Sequence, residues 1–393
     1  MTNKKRLLFV IDSLGVGGAE KSLVTLLNLL DYSRFEVDLQ LFAGGGAFCR
    51  FLPAEVNVLP EPKVIRELSQ PLWRLLCKPS LFAARVAYSL KIRLRRLYIA
   101  ERACLYWKMF GRYFTATKSY DVAIAYAQGL PTFYVAECAT AGRRLAWVNV
   151  DYRISGKTRD YQRAFYQKTD IIVPVSEAVR EVFASEVYPE FRDKMRIMPD
   201  IIDGSIIGRM SQMPADKPID KTLPVIMTAG RLNKPQKGYD LAMEAAKILR
   251  DRGVEFRWYA VGEGPYRGEM ERYIADNGLQ ERFVLLGATS NPYSYMGLCD
   301  VYVQTSRHEG FGLTIAEARI LNRPVVCTNF DGCAVQMKHG KNGLVVSFEP
   351  RDIADAVERL LSDKKLYSDI QEYLRGEKKG NTEKIADFYK LAE

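Results

Sequence analysis

The chain has only two histidines in 393 residues, His308 and His339. Neither stands near a cysteine at the spacing of a zinc ligand set, which argues against a metal centre built on His or Cys. The seven cysteines (49, 77, 104, 138, 299, 327 and 333) are an odd number and include no CxxC pair. Scattered cysteines in a large chain read as reduced, mostly buried thiols and favour a reducing cytosol over a disulfide framework. Long apolar runs are missing too. Lysines precede an apolar stretch near the start, as in a signal peptide, but Asp12 interrupts that stretch directly after Leu7 to Ile11. This is too short for a signal h-region and far too short to cross a bilayer. The expectation is a cytoplasmic protein, neither secreted nor membrane-spanning. Solenoid repeats and low-complexity tracts are also absent.

What is present is an ordinary globular composition, 48% hydrophobic and 26% charged. That excludes disorder for most of the chain, and the length suggests two domains. The net charge of +10 is unevenly spread. Thirteen Lys/Arg stand between Lys63 and Lys118 against Glu67 and Glu101, interleaved with Trp73, Phe82, Tyr88, Tyr98, Tyr106, Trp107, Phe110, Tyr113 and Phe114.

RLLFVID (6–12) reads as a strand, SLGVGGAE as a Gly-rich turn, and Ala19 to Leu30 as a helix. Further strands are read at 35–42, 121–127, 144–150 and 170–175, with helical patterns between most of them. This implies right-handed crossovers and a parallel sheet. Residues 196–224 carry four prolines and little periodicity, as a linker would. The alternation then restarts: strands at 224–230, 255–262, 282–287, 300–306, 323–328 and 343–346, and helices at 239–253, 265–277, 351–362 and 382–392. Two Rossmann-like halves in tandem are expected to face one another across a ligand-binding cleft at the carboxyl ends of their strands.

Three motifs carry chemistry. In SRHEGFGLTIAEA (306–318), Glu309 precedes a helix start where Gly310 and Gly312 allow close approach. The amides of Phe311, Gly312 and Leu313 at that start suit a phosphate, and Glu317 one turn on can accept from vicinal hydroxyls. The plainer reading, acids that suit the helix dipole, stays open for Glu317. In AGRLNKPQKG (229–238), Arg231 and Lys237 flank a turn and can neutralise a diphosphate, although a solvated surface pair is the usual meaning of such residues. In GVGGAE (15–20), the glycines let the turn approach a ligand, or merely make a tight strand-to-helix connection.

Together EGFGLTIAE, GRLNKPQKG, VGEGP and GVGGAE resemble the retaining glycosyltransferase family 4 (group 1 glycosyltransferases), which has the α/β GT-B fold, and the resemblance spans nearly the whole chain. It implies an acceptor-binding domain at 1–200 and a nucleotide-sugar-binding domain at 201–379, with a C-terminal helix, 380–393, crossing back onto the first. It gives Arg231 and Lys237 the donor's diphosphate, Glu309 the transferred sugar and Glu317 the ribose. Gly17 and Gly18 would approach the phosphate or sugar, while Gly262 and Leu286 would lie towards the base. No metal cofactor is expected, since the two cations would take its place. Asn149, followed by Asp151, stands where the family often has a histidine beside the sugar, and Asp200 replaces a common asparagine. The implied reaction is front-face displacement with retention, from a nucleotide sugar (UDP by family frequency) to a glycan or lipid-linked acceptor in polysaccharide or glycolipid assembly.

The basic segment adds a partner. Phe82, Val86, Leu90, Leu94 and Leu97 fall at helical spacing. A core-packed helix with a solvated basic face competes with a peripheral contact on an anionic membrane surface. No nucleic-acid recognition module is legible, so nucleic acid is not expected. An epimerase on the same fold and a catalytically silent nucleotide-sugar-binding scaffold are the competing functions.

Overall fold

The computed structural model describes every residue except 1–3, 16, 47, 95–96, 98, 117, 150–153, 155, 310 and 331–332. The chain forms two compact units, 1–200 with 384–393, and 201–383.

Unit 1 holds six parallel strands: β1 (Lys5–Ile11), β2 (Phe35–Leu41), β3 (Val56–Leu59), β4 (Ser119–Ala125), β5 (Thr140–Val148) and β6 (Ile171–Pro174). They lie in the order β3-β2-β1-β4-β5-β6. Leu7 to Ile11 are all buried. Helices cover both faces of a parallel sheet, so its inner strands are continuous apolar runs rather than alternating ones. Unit 2 repeats the plan with β7 (Val225–Ala229), β8 (Arg257–Val261), β9 (Phe283–Gly287), β10 (Val301–Gln304), β11 (Val325–Thr328) and β12 (Gly343–Val346), in the order β12-β11-β10-β7-β8-β9. In each sheet the strand order reverses between the first strand and the fourth. That gap is the topological switch point where open α/β sheets take ligands.

The region read as a linker contains a helix, Gly204–Ser211. Asp203 caps it by accepting the amide of Ser205 at 2.8 Å, and Ile207 and Met210 are buried. The helix is too short for its period to show. Strand β3 and the helix Lys364–Gly376 likewise stand where no element was read.

The end of the chain is built into unit 1 as the helix Ile385–Ala392. Phe388 is fully buried, stacked on Phe9 at 5.8 Å and near Trp147 at 6.4 Å. Tyr389 stacks on Phe35 at 5.7 Å. The helix's last carbonyls are satisfied by cations: Lys5 donates to the Glu393 carbonyl at 3.0 Å and Arg143 to that of Leu391 at 3.2 Å. Both the hydrogen bonds and the helix dipole favour positive charge at that end. The segment before it, 377–383, stays with unit 2. There Asn381 accepts the Ile202 amide at 2.7 Å and returns its own amide to the Ile202 carbonyl at 3.1 Å. Gly380, at φ +90, lies so close to that carbonyl that a Cβ would come within 2.3 Å of it.

Replacing Phe388 with alanine should cost unit 1 about 3–5 kcal/mol, the usual cost of emptying a buried aromatic site. Urea unfolding followed by far-UV circular dichroism checks this. An unchanged midpoint would mean that the terminal helix is not part of the fold.

Candidate functional site

In unit 2 the switch point lies between β7 and β10, and the loops leaving these two strands carry the residues of interest. They are fastened together by backbone and side chain. Gly238, at φ +63, sits so near the Thr305 carbonyl that a Cβ would lie 2.1 Å from it. Thr305 Oγ1 donates to the Lys237 carbonyl at 3.0 Å, and the Arg307 amide to the Gln236 carbonyl at 2.7 Å. Arg307 also grips Asp240 with two bonds, at 3.0 and 2.8 Å.

So held, Lys237 Nζ reaches Glu309 Oε1 at 2.7 Å, both side chains mostly buried. The same oxygen accepts from Gln304 Nε2 at 2.8 Å and Ser306 Oγ at 2.6 Å. Three donors thus converge on Oε1, while Oε2 has no hydrogen-bond partner among the described residues. Gln304, itself buried, accepts from Tyr302 Oη at 2.7 Å and Thr314 Oγ1 at 3.0 Å, tying the carboxylate to the helix that follows. One carboxylate oxygen is fixed and the other is left as an acceptor. Arg231 is exposed and makes no hydrogen bond or ion pair with a described residue, so its guanidinium is available to an anion.

The helix Leu313–Ile320 starts from Gly312, whose φ of +78 only glycine adopts readily. Gln336 donates to the carbonyls of Phe311 and Gly312 at 2.6 and 3.2 Å, holding that turn. Gly310 lies outside the described residues. Glu317 is held differently from Glu309. It is 2% exposed and accepts from Tyr293 Oη at 2.9 Å. Burial and the Glu317 charge push the Tyr293 phenol well above its ordinary range, so it stays a donor.

Gly262 and Gly264 serve the neighbouring backbone. A Cβ on Gly262 would lie 1.9 Å from the Gly230 carbonyl, and one on Gly264 2.3 Å from that of Leu232. Their lack of side chains lets the loop after β8 press against the loop that carries Arg231. The Leu286 side chain is buried in the core and its carbonyl accepts from Lys217 Nζ at 2.6 Å.

In unit 1 the turn after β1 leads into the helix Gly18–Leu29, with Gly17 as its extended N-cap. The Glu20 carboxylate folds back over Gly17, Oε2 lying 2.2 Å from where a Cβ would stand. The Glu20 carboxylate thus lies against Gly17 in the first turn of the helix, where the helix dipole favours an anion. At the end of β5, Asn149 Nδ2 donates to the Tyr126 carbonyl at 2.6 Å and leaves Oδ1 buried, with no partner among the described residues. Asp151 lies outside the described residues. Beneath this region Tyr126 Oη meets Ser22 Oγ at 2.9 Å. Asp200 is buried too; desolvation pushes its pKa up to about 6, against a smaller lowering by its Ser22 hydrogen bond. Among the described residues no group of three His, Cys, Asp or Glu is placed to hold a metal ion.

Sequence reasoning did not find Gln304, Ser306 or Tyr293. The signal for Gln304 was a single amide in the buried strand VYVQ, since a buried polar side chain must find partners.

The fold is GT-B, and it is shared with solved glycosyltransferase structures. Anabaena HepE in complex with UDP-glucose superposes with a TM-score of 0.66 at 19% identity, covering 98% of this chain and 100% of that one. A TarM variant from S. aureus with UDP and alpha-GlcNAc-glycerol gives 0.69 at 16%, over 99% of each. Residues 210–377 match the family model of group 1 glycosyl transferases. Among the chain's relatives, the alpha-D-kanosaminyltransferase of Streptomyces kanamyceticus is 34% identical over 36% of this chain and 38% of its own length. The Campylobacter jejuni N-acetylgalactosamine-N,N'-diacetylbacillosaminyl-diphospho-undecaprenol 4-alpha-N-acetylgalactosaminyltransferase is 26% identical over 92% of each chain. The matches to three of the most similar curated relatives span 38%, 59% and 51% of those proteins.

Two stability measurements follow from these contacts. The native pKa of Asp200, about 6, lies above the ordinary 3.8, so the folded protein keeps a proton there that the unfolded chain releases. The stability this provides is full below about pH 4 and is lost as pH rises through about 6. Asp200→Asn should flatten that part of the profile and stabilise the protein at neutral pH by about 2–3 kcal/mol. An unchanged profile would contradict it. Gln304→Leu takes the shared acceptor from the Thr314 hydroxyl, leaves Tyr302 Oη only the Ala229 carbonyl at 3.3 Å, and should cost about 1–3 kcal/mol in denaturant titration; a neutral substitution would show the network to be dispensable.

Proposed function

We propose that the chain is a retaining, metal-independent glycosyltransferase that takes a sugar from a UDP-sugar and gives it to a glycan or lipid-linked acceptor. The observation that carries the reading is the half-satisfied Glu309 carboxylate beside Lys237, at the switch point of unit 2 and in the loops that also bear Arg231. UDP or UDP-glucose in the matched structures, and the sugar transfers named for the relatives, support it.

In this reading Arg231 and Lys237 bind the diphosphate, and Glu309 Oε2 accepts from a hydroxyl of the transferred sugar. Glu317 takes the ribose, with Tyr293 fixing its carboxylate. The bond from the anomeric carbon to the phosphate oxygen breaks as the acceptor oxygen bonds to that carbon on the same face. The acceptor's proton passes to the departing phosphate oxygen. No protein base is then required, which suits an asparagine at 149, since an amide cannot take up a proton there. Negative charge grows on the leaving diphosphate, and cations already in place stabilise it without reorganising.

Arg231→Ala and Lys237→Ala should each lower kcat by about 10²–10³-fold while UDP-sugar is turned over in an acceptor-dependent assay. Arg231→Ala should melt as the wild type does, because that side chain supports nothing else described. Normal turnover in both variants, or nucleotide release that needs no acceptor, would overturn the proposal; the second outcome would favour an epimerase.

A further inference from the structure

Thirteen Lys/Arg and two acids lie between Lys63 and Lys118, which leaves 44 basic and 45 acidic residues in the rest of the chain. The whole positive excess of the protein sits in this stretch of unit 1. The same stretch holds five of the nine large apolar side chains that are exposed among the described residues: Leu72, Trp73, Leu76, Leu90 and Leu94.

Two neighbouring elements present them. The 3₁₀ turn Leu72–Leu75 is pinned by Leu75, buried in the core of unit 1, while Leu72, Trp73 and then Leu76 face water. Trp73 is 64% exposed, with Arg74 over its ring at 5.2 Å. The helix Pro79–Leu94 buries only Leu81. Its Tyr88 packs against Tyr106 and Phe110 of the helix Ile99–Phe110. At its far end Leu90 and Leu94, one turn apart, make an outward ridge with Lys91 on one side and Arg93 on the other. Leu94 is 81% exposed. Lys63, Arg66, Lys91 and Arg93 are exposed, and their side chains make no hydrogen bond or ion pair with a described residue. No described helix is long and apolar enough to cross a membrane.

We propose that these two elements dock on the surface of an anionic bilayer. Leu72, Trp73 and Leu76 enter the interface beside the Leu90–Leu94 ridge, and the free basic side chains meet lipid phosphates. An indole is suited to the headgroup level, and basic residues flanking an apolar ridge are the mark of an interfacial helix. Nucleic acid would satisfy the charge, but four exposed leucines gain nothing on a phosphate backbone. The inference goes beyond sugar transfer and does not depend on it.

The test uses the purified full chain and no activity. The other three tryptophans, Trp107, Trp147 and Trp258, are buried, so solvent controls the emission of Trp73 alone. Vesicles of phosphatidylcholine with phosphatidylglycerol should shift that emission to the blue, shield it from acrylamide and carry the protein upward in flotation. Phosphatidylcholine alone should bind at least about tenfold more weakly, and salt should weaken the anionic binding. Leu76→Glu and Leu94→Glu should each weaken binding by about tenfold with unchanged melting, whereas Val335→Glu, at an exposed apolar site in unit 2, should not. No binding, no blue shift, equal loss in the Val335 control, or binding to nucleic acid in place of vesicles would each overturn the proposal.

Discussion

A lysine and a glutamate from different loops meet at 2.7 Å at the carboxyl ends of β7 and β10, and the architecture of unit 2 is arranged around that meeting. A mostly buried ion pair must recover the desolvation of both charges, and it does so only with good geometry and further hydrogen bonds. Gln304 and Ser306 supply them at 2.8 and 2.6 Å, all on one oxygen of Glu309. The requirement reaches outward. Gly238 is glycine because the loop after β7 must touch Thr305, and Gly262 because the loop after β8 must touch Gly230. A side chain at either position would push Lys237 or Arg231 out of place before any ligand arrived.

The two units share a strand order and differ in what their switch points offer. In unit 1 the first turn of the helix after β1 faces a carboxylate of its own, Glu20, folded over Gly17. In unit 2 the corresponding ground holds an exposed arginine, a lysine and a carboxylate oxygen without a described partner. One sheet plan thus gives a self-satisfied turn in one case and an anion- and hydroxyl-binding one in the other. The difference lies wholly in loop side chains, as it must where a fold serves many functions.

The sheets were legible because buried parallel strands are apolar on both faces, so Leu7 to Ile11 or Val225 to Ala229 announce themselves. Glu309, Lys237 and Arg231 were legible through the motifs that carry them. What escaped is tertiary. Gln304 looks like a stray amide until Glu309, Tyr302 and Thr314 surround it. That Gly262 lies against the Gly230 carbonyl is a tertiary contact no local pattern shows. The helix Gly204–Ser211 is too short for a period to show among the prolines and polar residues around it. The apolar spacing from Phe82 to Leu94 indicated a helix, but not that Phe82 and Val86 would be half-buried while Leu90 and Leu94 face water.

The most direct measurement is a crystal structure of the chain with UDP bound. The account requires the diphosphate to lie within hydrogen-bond reach of Arg231 and Lys237, beside the start of the helix Leu313–Ile320, with Glu309 Oε2 facing the place of the sugar. A nucleotide bound elsewhere, or a diphosphate held without either cation, would contradict it.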